Sequence, residues 1–393
     1  MKLTVPTNWE KDLLGKITQP DVDTVYGKLD KDFVGGGRAS CVLLKLRKGY
    51  VKSHIQAIHE QGRKFHYILN ASCLGNREWS SRGQKEIIRL LDWLVDIGSD
   101  GVIVTSPYLF QVIKKRYPEF EIAVSCFANV NSVEKAKFWE GLGAAIITLS
   151  QVEVNRNFKL LEEIRKKVSC ELQLIANDGC IADCPMFFYH NNTSSHSSQS
   201  DSRLGSFMFD YCSLTCRYRK IAKSANFIRA TWIRPEDMSA YENIGYSRFK
   251  LADRTMDTRH LAVIVDAYSR RSYRGNLYDL ITSPSKSLWL KKASLFHKFK
   301  YFFHPLALNI VKFVRNRKLL KYTEVYVDNS KLDGFIGHFL NTDCRYLSCQ
   351  ECGYCQKIAD QAVSVKDKAA HQVAVNDHRK FLDLIISGDI FKY

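Results

Sequence analysis

The sequence predicts an α/β fold: a (β/α)8 TIM-like barrel with a C-terminal helical and cysteine-rich appendage. Two observations carry the barrel. From the start to about residue 255, short β-branched runs alternate with helical periodicity, the pattern of parallel strands joined by crossovers. About eight such repeats in this length favour a closed barrel over an open doubly wound sheet. The third observation sets the appendage apart: beyond residue 282 the alternation stops, and basic, aromatic and then cysteine-rich stretches follow.

The strand candidates are Leu3–Pro6, Thr24–Gly27, Phe65–Asn70, Gly101–Thr105, Ile122–Cys126, Ala144–Leu149, Glu171–Ile175, Ile228–Ile233 and Phe249–Ala252. That is one run too many for an eight-stranded barrel, and Ile228–Ile233 is assigned outside it. Between them, Gly83–Ile97 places Ile87, Ile88, Leu91, Leu94 and Val95 on one helical face, and Ser132 opens a second helix running to Gly141. Asp253–Tyr278 also reads as helical. The serine-rich, apolar-poor stretch Asn191–Gly205 reads as a mobile excursion from the barrel. Its Asn191-x-Thr193 sequon is treated as chance. The domains are thus expected at 1–282 for the barrel, with a cysteine loop at 177–220, 283–340 for a basic and aromatic helical segment, and 341–393 for the cysteine-rich module and tail.

At 393 residues and 45% hydrophobic content the chain can bury a large core, and no apolar run is long enough to span a membrane. The opening MKLTVPTNWEKDLL has no apolar secretory core, so a cytoplasmic location is expected. The net charge of +17 favours polyanions. Between Ser283 and Tyr322, ten basic side chains, Lys291, Lys292, Lys298 and Lys300 among them, meet no acidic residue and interleave with aromatics. Such a stretch either binds RNA or an anionic surface, or docks its aromatics on the barrel beneath a solvated basic face.

Eight of the twelve cysteines form two groups: Cys180, Cys184, Cys212 and Cys216, and then Cys344, Cys349, Cys352 and Cys355. Disulfides have little support without a secretory signal. Thiolates at these spacings can converge on one soft metal centre, either zinc or an iron–sulfur cluster. The second run, C-x4-C-x2-C-x2-C, favours an iron–sulfur cluster over zinc; the first group leaves both open. Cys73, Cys126 and Cys170 adjoin apolar runs and read as core thiols.

Other candidates are weighed against ordinary structural roles. Asn177–Cys184 follows a predicted strand, where barrel chemistry sits. His190 is a proton donor or a surface histidine. Trp232, Arg234, Glu236 and Asp237 form either a pocket rim or a plain helix start with proline at its first position. Lys250 and Arg254 flank a predicted strand and hold either an anionic substrate or barrel salt bridges. The Gly35-Gly36-Gly37 run lacks the rest of a phosphate loop and reads as a flexible turn. The chain has no HExxH helix, no GxSxG elbow and no C-x3-C-x2-C run.

Asp100-Gly-Val-Ile-Val104, Glu121 through Asn129, Phe138-Trp139 with Leu142-Gly143, Asn177-Asp-Gly-Cys180 with Cys184-Pro185-Met186, Trp232 through Asp237 and Phe249 through Arg254 occur in that order. Together they resemble the collagenase-like U32 peptidase family over roughly residues 1–275. The resemblance implies a barrel, and it extends to members acting as hydroxylation factors. Those members bind a [4Fe-4S] cluster through four cysteines and serve oxygen-independent hydroxylation of ubiquinone precursors or of RNA. By position, Cys180, Cys184, Cys212 and Cys216 correspond to the cluster ligands, with Cys41 in reserve; the x3 spacing of both pairs departs from those members. The terminal cysteines lie outside that common core. The resulting expectation is an iron–sulfur-dependent enzyme or subunit with one [4Fe-4S] cluster or two, or zinc at either site. It would modify a small aromatic metabolite, an RNA or a peptide with a redox partner protein and a related U32-like subunit. The alternative is a collagenase-like protease with structural metal sites.

Overall fold

The structure, a computed structural model, describes residues 1–201, 207–281, 308–321 and 323–391. Eight parallel strands close into a barrel in chain order: β1 (Lys2–Pro6), β2 (Val22–Gly27), β3 (Lys64–Leu69), β4 (Gly101–Val104), β5 (Glu121–Val124), β6 (Ile146–Thr148), β7 (Glu171–Ile175) and β8 (Arg248–Lys250), with β8 returning to β1. Ile228–Ile233 is outside the barrel, as expected. Helices Lys48–His59, Ser81–Asp96, Pro107–Arg116, Val133–Gly141 and Phe158–Lys167 form crossovers, and Thr258–Arg270 follows β8. Ser80, Ser106, Ser132, Asn157 and Asp257 each accept an amide hydrogen bond at the N-terminus of one of them. The β1–β2 connection carries no described helix, whereas the β7–β8 connection is a long excursion from Ala176 to Ser247.

Strand alternation sorts the barrel interior into layers. At the N-terminal end Arg248 lies 2.7 Å from Asp23 and 2.8 Å from Glu171, with Thr4, Thr24 and Gln173 beside it. The middle layer is apolar: Tyr26, Ile68, Ile103, Ala123 and Ile146. Two residues further along the strands come Lys28, Asn70 and Ser125, and Lys250, two residues past Arg248, reaches up beside them over the Tyr26 ring; all are buried. The period of two therefore separates a self-neutralised floor from a polar mouth across a dry plug.

The serine-rich stretch departs from expectation. Phe187–Ser197 is a helix, and Asn191, Ser194, Ser195, Ser197 and Ser198 are buried. Small hydroxyl side chains let this helix approach the loops that follow β2 and β3. Ser195 Oγ accepts from the Ser72 amide at 2.9 Å and donates to Asn191 O at 2.7 Å, while Ser198 Oγ accepts from the Gly36 amide at 2.7 Å. The glycine run is likewise a contact rather than a flexible turn. A Cβ on Gly36 would lie 2.9 Å from Asn70 Oδ1, one on Gly37 2.7 Å from Phe127 Cζ, and one on Gly35, at φ +87°, 2.8 Å from Ser195 O.

In the appendage, β9 (Val325–Val327) pairs antiparallel with β10 (Val363–Val365), so a strand pair beginning ahead of residue 341 encloses the terminal cysteines. Helices Ile310–Asn316 and Lys368–Ile386 build a satellite core of Leu308, Phe381 and Ile390 with Phe209 and Phe313. Lys312, Arg315, Arg317, Lys318 and Lys321 are exposed on it. The rest of the basic stretch, including Lys291, Lys292, Lys298 and Lys300, falls outside the described residues. Among the described residues no helix is long and apolar enough to cross a membrane.

Candidate active site

The barrel mouth gathers four cations. Lys28 ends β2's line of inward residues and contacts Asp32, whose carboxylate also accepts from Tyr67 Oη at 2.8 Å and the Gly35 amide at 2.7 Å. Arg38 donates to Asp253 Oδ2 at 2.8 Å, and this carboxylate holds its pKa above the usual arginine value. Lys250 and Arg254 are 9% and 6% exposed, and neither has an ion pair among the described residues. Lys250 Nζ lies 4.2 Å over the Tyr26 ring. Burial brings its pKa down to about 8, the nearby Cys126 opposing this and Arg254 and Arg38 adding to it. Burial, then Arg38, makes the Arg254 charge costly as well, and its Nη1 is buried without a hydrogen-bond partner. Two under-neutralised buried cations fit a bound anion. Of the two readings for Lys250 and Arg254, barrel salt bridges belong instead to Arg248.

A cover lies over this mouth. Residues 32–37 pack beneath the Phe187–Ser197 helix, where Gln199 Nε2 donates to Val34 O at 3.0 Å and Cys73 O at 2.8 Å. Phe127 and Phe187 meet edge to face at 6.2 Å. A small cavity is lined by Thr7, Trp9, Lys28, Leu43 and Arg254. Cys41 belongs to the short Ser40–Val42 turn of this covering segment.

The first cysteine group borders the mouth. Asp178, just past β7, accepts from Gln151 at 2.6 Å and from the Cys180 amide at 3.2 Å. Its charge acts on Cys180 on one side and on Cys126 and Arg38 on the other. Cys212 and Cys216 stand one turn apart on helix Tyr211–Ala222, capped by Asp210. The four thiols act on one another. Burial, then Asp178, Cys216 and Cys184, pushes the Cys180 thiol well up; burial, then Asp210, Cys184 and Cys216, brings Cys212 up to about 12. Lys220, one turn beyond Cys216, donates to Gly179 O. Burial disfavours its charge, but Tyr278 and the Cys216 and Cys180 thiols hold its pKa above the usual lysine value. An all-sulfur donor set with one cation against it fits a soft metal centre. Among the described residues, no three potential ligands converge closely enough to enclose a metal ion.

His190 lies 3.3 Å from Asp210 and ties the serine-rich helix to the cysteine helix. Trp232 and Arg234 are each 1% exposed and sit on no open rim. Trp232 Nε1 donates to Phe227 O at 2.9 Å, and its ring packs on Phe335. Arg234 bonds Asn329 Oδ1 at 2.9 Å, Asp333 Oδ1 at 2.8 Å and Leu332 O, stapling the appendage to the barrel. Pro235–Asp237 is the helix start that was the other reading. The second cysteine group lies in this appendage. Cys344 and Cys349 are exposed, Cys352 and Cys355 partly buried. Burial, then Cys355, Cys352 and Cys349, pushes the Cys344 thiol up to about 11.

Sequence reasoning missed Lys28, Asp32, Arg38, Asp178, Asp253 and the mouth position of Cys126. Lys28 was the most accessible of these: it continues the inward series Thr24, Tyr26, Lys28 by two residues.

The chain is 29% identical over 335 residues to the uncharacterized protease MJ1657 of Methanocaldococcus jannaschii, spanning 85% of this chain and 87% of that protein. Over 114 residues, 29% of this chain and 23% of the other, it is 29% identical to tRNA hydroxylation protein P of Escherichia coli. The structure of the U32 peptidase Mk0906 aligns with 64% of this chain and 93% of its own at 23% identity and a TM-score of 0.47. The model of peptidase family U32 matches residues 22–278, well over half of the sequence, and the chain therefore belongs to peptidase family U32.

Proposed function

We propose that the chain is an iron–sulfur-dependent enzyme, or the subunit of one, that modifies an anionic substrate by redox chemistry, as in oxygen-independent hydroxylation of an aromatic metabolite, an RNA or a peptide. The observation that carries this reading is the position of Asp178, with the Cys180 group on one side and the cationic mouth on the other. Cys180, Cys184, Cys212 and Cys216 would hold the cluster, and a cluster there supplies one-electron transfer beside the bound substrate. The similarity to tRNA hydroxylation proteins over part of the chain supports hydroxylation. Replacing C–H by C–OH with water as the oxygen source releases two electrons and two protons, so a redox partner protein must accept the electrons. Lys250 and Arg254 hold the anion, and the cover of residues 32–37 with helix Phe187–Ser197 keeps bulk water out.

The test compares cluster-loaded protein with the Cys180→Ala and Cys216→Ala variants at matched levels of folded protein. A hydroxylated cellular product should disappear in both variants, and neither gelatin nor casein should be cleaved by the loaded protein. Proteolysis that survives removal of the iron would overturn the reading.

A further inference from the structure

The terminal cysteines lie beyond the stretch that the family model matches. Ser348 opens helix Cys349–Cys352 with a reciprocal capping box, and Gly353, at φ +60°, turns the chain so that Tyr354–Ala362 begins beside it. Cys349, Cys352 and Cys355 thus follow one another along one tight reversal of the chain, with Cys344 in the preceding turn. Cys344 is within electrostatic reach of all three, and Cys355 of Cys349 and Cys352. The β9–β10 pair clamps both ends of the run.

Its surroundings suit a negatively charged sulfur-ligated centre. Arg156 and Arg229 face Cys355. Lys223 and Lys357 join Cys349 in lining an open cleft of about 590 Å3. His338 stacks on Tyr354 at 3.9 Å with Nε2 3.7 Å from Cys352 Sγ, the kind of contact that orients a ligand sulfur and tunes its metal. Tyr346 at 80%, Leu340 at 49% and Leu347 at 46% exposure lie in the same stretch of chain.

A short route joins this group to the inner one. Arg156 donates to the carbonyls of Ala230 and Trp232, and between them the Thr231 amide donates to Cys180 O at 2.8 Å. Arg156 thus stands against Cys355 on one side and reaches the segment bonded to Cys180 on the other.

We propose that Cys344, Cys349, Cys352 and Cys355 hold a second iron–sulfur cluster, an outer centre that passes single electrons from the inner cysteine group to an external one-electron carrier protein. At each step the inner centre is oxidised by one electron and the outer reduced by one. The outer centre then gives that electron to the oxidised carrier; no bond forms or breaks and no proton moves. The relay rests on the inner cluster of the proposed function, whereas the outer cluster stands without it.

The test uses full-length protein prepared anaerobically. Two four-iron clusters give about eight iron and eight sulfide per chain. The double variant Cys349→Ala/Cys352→Ala should lose about half of both, and Cys180→Ala/Cys184→Ala the other half. After dithionite reduction, reoxidation of the inner centre by an oxidised ferredoxin should slow at least tenfold in the outer variant. On unaltered protein, electron paramagnetic resonance of the reduced form should count two spins, and His338→Ala should change one signal while leaving iron content intact. Stoichiometric zinc in the module, full retention of iron in the outer variant, or loss of all iron in both double variants would overturn the proposal. About four iron per chain, all lost with the outer substitutions and none with the inner ones, would instead sink the inner cluster and leave the outer one standing.

Discussion

Lys250 sits at the point where the barrel's polar mouth meets its apolar plug. An ammonium buried over Tyr26, near Arg38 and Arg254, is costly without a counter-charge. Its pKa falls from 10.5 to about 8 on folding. The folded state therefore resists carrying its proton, and stability is lower at pH 7 than above pH 10.5. Lys250→Met should stabilise the ligand-free protein at pH 7 by on the order of 3 kcal/mol. Affinity for an anion such as benzoate should fall as pH rises through 8 in the native protein and be weak and flat in the variant. Calorimetry across pH 6.5 to 9.5 measures both, and a native affinity independent of pH would remove Lys250 from the binding site.

At the scale of elements, the cover over the mouth is held by close backbone approach. Gly35 combines a left-handed conformation with Ser195 O and Gln199 Cγ under 3 Å from where a Cβ would stand. Gly35→Ala should cost roughly 1–3 kcal/mol. It should also speed hydrogen exchange at the Ser72 amide, which is bonded to the same helix. Gly141, with nothing within 4 Å of its Cβ position, is the control: Gly141→Ala should be neutral or stabilise by up to about 1 kcal/mol. Equal responses at the two sites would show that the cover does not depend on this packing. Here composition misled. A serine-rich, apolar-poor run looks unable to pack, yet its hydroxyls bond to backbone and its small volume admits a neighbouring chain at close range.

Across the whole molecule, two buried histidines set the acid limit. His54 in the barrel wall, bonded to Thr7 Oγ1 at 2.9 Å, and His378 in the appendage are both brought down to about 4, chiefly by burial. Both must be neutral in the fold while the unfolded chain protonates near 6.5. Stability therefore declines as pH falls from 6.5 through 4, by on the order of 3 kcal/mol for each. Denaturant titrations at pH 7 and pH 4.5 should show a smaller loss in His378→Leu than in the native chain. An unchanged loss would place the acid sensitivity elsewhere.

Barrel strands and most crossover helices were legible in the sequence because they rest on local period. Two-residue alternation and a 3.6-residue apolar stripe are written along the chain, as Phe65–Asn70 and Gly83–Ile97 illustrate. Cysteine spacing likewise announced two groups before any geometry. What only the tertiary structure decided is the partner of each charge. Lys250 and Arg234 look equally free in sequence, but closure of the barrel leaves the first buried over Tyr26 without an ion pair among the described residues, while docking of residues 329–333 gives the second a full set of oxygen partners. Spacing could place Cys180 after a strand; only the packing of residues 225–232 between the two cysteine groups could set them side by side. Pattern fixes which face of an element is buried, and the three-dimensional path of the chain fixes what it is buried against.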